Sequence, residues 1–422
     1  MTPEIKQQIE QIRRGEVPEG FKHNSASVMP CDWNTCDFHE VATIQSGLVS
    51  PKEEPYCFMF HIGPDNIERD TGRIGNLKTA CELGLVSGKF YFDAGSIVYS
   101  KIRPNLNKVC IPNFEGICSA DCYSIKARAG IDRDYLFNLM LSFPFYRRAV
   151  ACSMRTGMPK INQDDLNAIP VVMPSQLEEQ QKIAAILTTQ DKVIELKEKL
   201  LAEKQRQKKY LMQVLLTGKK RLPRFSGEWK ANRLRNITTR HTKRNTIGNT
   251  NVLTISAQYG LINQAEFFNK AVASDDKSNY FLLEKGDFAY NKSYSNGYPF
   301  GAIKRLTRYE VGIVSPLYIC FRIKEGSVSG EYLEQYFEAG LMNHEIQAFA
   351  QEGARNHGLL NIAVDDFFNS KILLPSPEEQ TAIAEVLSAS DHEIELLRQD
   401  IEQEKQKKKA LMQLLLTGIV RV

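Results

Sequence analysis

The chain has 422 residues, of which 42% are hydrophobic and 25% charged, and a formal net charge of +4. That length accommodates two or three domains with sizeable cores. No apolar run is long enough to span a bilayer, and the start lacks the charged-then-apolar pattern of a secretory signal, so a cytoplasmic protein with no membrane partner is expected.

In chain order, residues 1–30 form an N-terminal extension whose mixed-charge stretch Pro3 to Arg14 can make a short helix. A first domain is expected over 31–174. It opens at Cys31-Asp32-Trp33, has a strand-like phrase from Ala94 to Lys101 and a helical stretch from Tyr135 to Ala149. A basic loop with glycine then runs from Arg155 to Asn162, and an apolar strand leads into Pro174. Eight of the nine cysteines lie before residue 153. Cys31-x4-Cys36 and Cys118-x3-Cys122, with His39 or His61, have a loose zinc-like spacing without a counterpart later in the chain, so buried free thiols are the expected reading.

Residues 175–222 read as a long helix. Ser175-x-x-Glu178 has the form of a capping box, no Gly or Pro interrupts the run, and Gly218 supplies the stop. A second domain is expected over 223–375, opening at Gly227-Glu228-Trp229. It repeats the strand-like phrase (Lys285 to Lys292), the helical stretch (Tyr332 to Ala350), the basic loop (Gly353 to Ile362) and the closing strand (Lys371 to Pro375). A second long helix follows over 376–422, with Ser376-Pro377-x-Glu379 at its start and Gly418 at its stop. Short β-rich runs with Gly and Asn turns plus one or two helices suggest α+β domains.

The two helices are copies. At an offset of 200 the segments from Glu178 and Glu378 run without a gap to Arg221 and Arg421, with about 20 of roughly 44 positions identical. Leu187, Ile194, Leu201 and Leu215 in the first copy, and Leu387, Ile394, Ile401 and Leu415 in the second, fall at intervals of seven or fourteen. Lys208 and Lys408 interrupt both stripes at the same step. A helix this long cannot bury such a stripe alone. The coinciding registers favour packing of the copies on each other, antiparallel, over packing on another protein. The charged ends, Lys204 to Lys209 and Lys405 to Lys409, read most simply as solvated faces.

Charge is unevenly placed: between Lys219 and Gly260 about ten Lys and Arg face one acid, Glu228, a plausible footprint for a phosphate backbone. Candidate contacts cluster in the divergent loops: Lys101, Arg103, Asn105 and Lys108; Arg155 and Lys160; Arg240, Lys243 and Arg244; Lys292, Tyr294 and Asn296; Arg355, Asn356 and His357. Arg can fork onto guanine and Asn onto adenine, while Lys mostly holds phosphate. No adenine-flipping Asn-Pro-Pro-Tyr, GxxxxGK[ST] loop, dinucleotide fingerprint or HExxH is present, so no catalytic residue and no metal ligand is assigned.

Two divergent domains, each followed by a capped helix of the form EEQ…IA…L…D…IEL…LMQ…LLTG, resemble the specificity subunit of a type I restriction–modification enzyme over almost the whole chain from Trp33. The resemblance implies two target-recognition domains set about a pseudo-two-fold axis by an antiparallel coiled coil. Each would read one half of a split, asymmetric double-stranded DNA site, with the helices fixing the unread spacer. It further implies a non-catalytic subunit joined by two adenine-N6 methyltransferase subunits and by restriction subunits. No cofactor is expected in this chain; adenosylmethionine, ATP and Mg²⁺ would belong to the partners. The competing reading is a coiled-coil scaffold that binds no DNA.

Overall fold

The structure is a computed structural model that describes residues 3–23, 28–153, 159–256, 259–268, 277–295, 297–352 and 360–422. The chain divides into two compact units: unit 1 comprises 1–198 with 400–422, and unit 2 comprises 199–399. Both mix short, mainly antiparallel strands with helices. No described helix is long and apolar enough to cross a membrane.

The two units use one sheet order. In unit 1 a four-stranded antiparallel sheet runs Val109–Cys110, Ile97–Ser100, Cys122–Ala127, Ala42–Ile44. In unit 2 the corresponding sheet runs Ala302–Arg305, Phe288–Asn291, Ile319–Ile323, Thr238–Arg240. The strand-like phrases at 94–101 and 285–292 are thus the central strands, and their β-branched and aromatic side chains are buried. Each tryptophan phrase leads to a strand paired with the closing strand: Trp33–Asp37 with Pro170–Pro174, and Lys230–Arg233 with Lys371–Leu374. Unit 1 adds a five-stranded sheet in which Gly116–Cys118 lies parallel to Phe60–Ile62.

Each helical stretch is two helices. Arg133–Leu141 and Phe143–Ser153 separate at Ser142, where Pro144 forces a fresh start. Gly330–Glu338 and Asn343–Phe349 separate around Gly340, whose φ of +69° ends the first. The matching N-caps are Asp132 and Ser329, which accept from the amides of Tyr135 and Tyr332.

The long helices are Leu177–Leu215 and Pro377–Leu415, of 39 residues each, or about 58 Å apiece at the standard rise. Both end alike. Gly218 and Gly418 adopt φ of +69° and +71°, and Lys220 and Val420 donate back to the carbonyls of Val214 and Leu414. Their starts differ from the sequence reading. Ser376 Oγ does accept from the Glu379 amide at 3.3 Å. Ser175 Oγ instead donates to the Asp32 carbonyl at 2.5 Å, and Glu178 is left exposed. The first helix therefore begins without that box, because Ser175 ties the closing strand to the tryptophan turn.

Within unit 1 the first helix meets the second antiparallel: Glu179 pairs with Arg421, Asp191 with Lys408, and Lys197 with Asp400 and Glu404. Within unit 2, Lys204 pairs with Glu393, Lys208 with Asp391 and Arg221 with Glu379. The Lys208 and Lys408 interruptions are thus reciprocal cross-helix ion pairs, with side chains only 13% and 10% exposed. Lys405 also reaches Glu198. The solvated-face reading fails for Lys204, Lys208, Lys405 and Lys408, since acids on the facing helix stand opposite them. Of the expected packing residues, Leu187, Ile194, Leu215, Leu387, Ile394, Ile401 and Leu415 are buried and Leu201 is half-buried.

The helix ends belong to the domain cores. Ile183, Ala184, Leu187, Leu415 and Leu416 pack in one cluster with Trp33, Phe38 and Tyr135. Met212, Leu215, Leu216, Ile383, Ala384 and Leu387 pack with Leu234, Phe321 and Tyr332. A polar latch accompanies each cluster. In unit 1 the Arg421 guanidinium donates to both oxygens of Glu179 (2.5 and 2.9 Å) and to Asp32, while Trp33 Nε1 donates to Glu179 at 3.3 Å. In unit 2 Arg221 forks onto Glu379 (2.6 Å twice), and Trp229 Nε1 donates to the same carboxylate at 3.3 Å. Buried Gln180 accepts from the Asp132 amide and donates to the Pro174 carbonyl; Gln380 does the same with Ser329 and Pro375. The N-terminal extension joins unit 1 at the same place. Its helix Pro3–Arg13 buries no residue, but Lys22 Nζ donates to the carbonyls of Cys31 and Trp33. A Cβ on Gly418 would lie 2.5 Å from Pro30.

Two outcomes follow from these contacts. The Glu379 side chain is 2% exposed, so Arg221→Ala strands a buried carboxylate and should cost about 3–5 kcal/mol, read by calorimetry as a lowered melting transition. An unchanged melt would show the latch to be inert. The second concerns acid. Hydrogen bonds from Lys197 and Gln190 hold the Glu404 carboxyl at about 2, below its ordinary 4.5. A depressed carboxylate contributes stability that is complete above 4.5 and lost as pH falls toward 2. Glu404→Gln should therefore flatten the fall of stability between pH 4.5 and 2, and denaturant melts across that window would detect a slope left unchanged.

Candidate nucleic-acid interface

In both units the central sheet strand hands its chain to a loop that crosses the segment carrying the basic loop. In unit 1 the crossing is tight: the amide of Ile161 donates to Lys101 O (2.9 Å) and that of Arg103 to Pro159 O (2.8 Å), and Ile102 bridges Lys160. In unit 2 the amide of Leu360 donates to Lys292 O at 3.0 Å. Loops separated by some 60 residues in sequence thus meet at the end of the corresponding central strand in each unit.

That crossing gathers Lys101, Arg103 and Lys160. Asn105 is exposed on the turn Pro104–Leu106. Lys108 is drawn away, its Nζ donating to the Pro64 carbonyl at 2.6 Å. Lys101 lies 5.2 Å from the Tyr123 ring centroid, and burial, helped by the charge of Lys160, lowers its pKa. Arg155 lies outside the described residues, as do Asn296, Arg355, Asn356 and His357.

In unit 2 Tyr294 is 62% exposed beside Lys292. The chain after it is fastened by a polar triad around buried Lys304, whose Nζ donates to Tyr298 Oη at 2.9 Å, and both reach the Glu338 carboxylate. Tyr290 Oη donates to Phe300 O at 2.6 Å, and a Cβ on Gly301 would meet the Asn291 carbonyl at 2.2 Å. The triad also borders a cavity of about 320 Å³ between Met212, Phe337 and Met342.

The densest basic run among these candidates lies elsewhere on the sheet. Arg240 pairs in register with Phe321, which pairs with Phe288, the start of the strand whose far end delivers Lys292. Arg240 is exposed there. Lys243 is 3.4 Å from Glu284. Arg244 donates to the Asn279 backbone and side chain and lies 6.0 Å from the Phe281 ring. The run therefore stitches the entry of the domain together and is not brought to the loop crossing.

The cysteines do not gather into a ligand set: among the described residues no group of three or more His, Cys, Asp and Glu is arranged to hold a metal ion. Cys118 and Cys122 are buried with Cys110 in an apolar cluster, whereas Cys31 is exposed and Cys36 half-buried. Burial pushes the Cys118 thiol up to about 12 and that of Cys36 to about 11, as expected of unreactive thiols. Sequence reasoning missed the Lys304–Tyr298–Glu338 triad and the left-handed backbone at Arg103 and Asn107. Only Pro104 and the Asn-rich turn hinted at the latter.

Comparison with known proteins agrees with this picture. Residues 30–206 match the type I restriction modification DNA specificity domain. Over 181 residues, 43% of the chain, the sequence is 41% identical to the type I restriction enzyme EcoDI specificity subunit of Escherichia coli, a match that spans only 38% of that relative's length. The MjaVIII specificity subunit of Methanocaldococcus jannaschii is 27% identical over 73% of this chain and 75% of its own. In fold, the HsdS subunit from Thermoanaerobacter tengcongensis matches 93% of this chain and 98% of its own, with a TM-score of 0.50 and 19% identity. A chain from a type I R-M complex structure matches 93% and 99%, with a TM-score of 0.58 and 17% identity. With a matched specificity domain over residues 30–206, a duplicated helix and a sheet order used twice, the chain resembles type I restriction–modification specificity subunits.

Proposed function

We propose that this chain is the non-catalytic, sequence-reading subunit of a cytoplasmic type I restriction–modification complex, and that it recognises a bipartite, asymmetric site in double-stranded DNA. The observation that carries the reading is the contrast between the units. Sheet order, latch and helix are duplicated, while the loops that follow the central strands differ in chemistry: Lys101, Arg103 and Lys160 in one, Lys292 and Tyr294 in the other. A shared frame with unlike loops suits two readers with unlike half-sites.

In this reading the long helices pair antiparallel along their length about a pseudo-two-fold axis and set the distance between readers. Leucines left exposed on the helices, such as Leu196, Leu200 and Leu396, support a scaffold on which two methyltransferase subunits dock, with restriction subunits joining them. Adenosylmethionine, ATP and Mg²⁺ belong to those partners.

Lengthening both helices by one turn, about 5.4 Å, should shift the preferred gap between half-sites by one or two base pairs, at about 3.4 Å each. Selection of bound duplexes from a random pool, with the methyltransferase partner present, reads the gap directly. An unchanged gap would refute the ruler. Failure to enrich any sequence at low salt would favour the scaffold without DNA.

A further inference from the structure

At the unit 1 crossing, backbone pairing brings the chain at Lys101 and Arg103 against that at Lys160, and the backbone there is under strain. Arg103 sits at φ 49°, ψ 58°, immediately before Pro104, and Asn107 at φ 45°, ψ 53°. Side-chain-bearing residues avoid this left-handed region unless their surroundings impose it. Here they do. Pro104 is buried, Asn107 Nδ2 donates to the Leu141 carbonyl at 3.1 Å, and the Leu106 amide donates to Arg103 O at 2.9 Å. The result is an exposed Arg103 on backbone paired with the segment that carries exposed Lys160, while Lys160 lies close enough to Lys101 for their charges to repel.

The charges of this cluster are not cancelled locally. Asp121 attracts Lys101, yet among the described residues no ion pair forms on Lys101, Arg103 or Lys160. The contrast with Lys108, Lys243 and Arg244, each engaged by protein oxygens, is plain. Like charges gathered on rigid backbone repel one another unless an anion joins them. The two lysines act as point charges, and phosphate oxygens are a natural partner for point charges on fixed backbone.

We propose that Lys101, Arg103 and Lys160 form a clamp for the DNA backbone phosphate, a sequence-independent contact that seats unit 1 on the duplex and leaves base reading to neighbouring loop residues. The proposal rests on the DNA-reading function above and adds a site and a ligand to it.

The test is a salt titration of the full-length chain on two 30-bp duplexes of unrelated sequence. The slope of log affinity against log salt falls by nearly one unit for each phosphate that is no longer neutralised. Arg103→Ala and Lys160→Ala should each lower the slope by about one and weaken both duplexes to the same extent. Arg103→Lys should restore the wild-type slope, and Lys182→Ala, a helix-surface lysine of equal charge, should leave it unchanged. Arg103→Gly relieves the positive φ, so its melting temperature should hold or rise while binding weakens, which separates a missing phosphate partner from a damaged fold. A changed preference between the duplexes at unchanged slope would make Arg103 a base reader and overturn the clamp, as would unaltered affinity and slope in every variant. Absence of salt-dependent binding by the wild-type chain would instead remove the DNA-reading function itself.

Discussion

Two glutamates are buried at the starts of the long helices, and the frame of the molecule follows from how each carboxylate is compensated. Taken from water, a carboxylate needs a cation and further donors. Glu179 finds Arg421 and Trp33, and Glu379 finds Arg221 and Trp229. Each latch draws on a helix start, a helix end and the first strand of a domain. It can close only when those pieces meet antiparallel, with the domain seated on them. The surrounding apolar clusters supply area, which is non-directional; the latch supplies register.

With register fixed, the sheet order brings the same two loops together in each unit. Lys101 O accepts from Ile161, and Lys292 O accepts from Leu360. What differs is how the loops are held and what they present. Unit 1 uses left-handed backbone and a buried asparagine. Unit 2 uses a lysine–tyrosine–glutamate triad and a glycine with no room for a side chain. Different local devices on one frame let the presented chemistry diverge without disturbing the core.

Much of this was legible in sequence because it is periodic or local. Stops and seven-residue spacing marked both helices and a cap marked the second, and turn residues marked the strand phrases. Contacts that join distant segments left no such mark. Nothing near Glu179 announces that Arg421 will bind it, although both residues, and the tryptophan, occur twice. Lys208 and Lys408 broke an apolar pattern, but the acids opposite them, Asp391 and Asp191, could be named only from the packing. Charge density left packing partners equally unmarked. The run from Arg240 to Arg244 is the densest of the loop candidates, and Glu284 and Asn279 engage Lys243 and Arg244, while the backbone crossing brings together the segments carrying the sparser cations at 101, 103 and 160.

The central claim is that two unlike readers share one frame. It is tested most directly by mapping methylated adenines across the source genome with this gene present and deleted. The account predicts that one motif vanishes on deletion, and that it consists of two different short half-sites separated by a fixed unread gap. A methylation pattern unaffected by the deletion, or the loss of a continuous or palindromic motif, would contradict it.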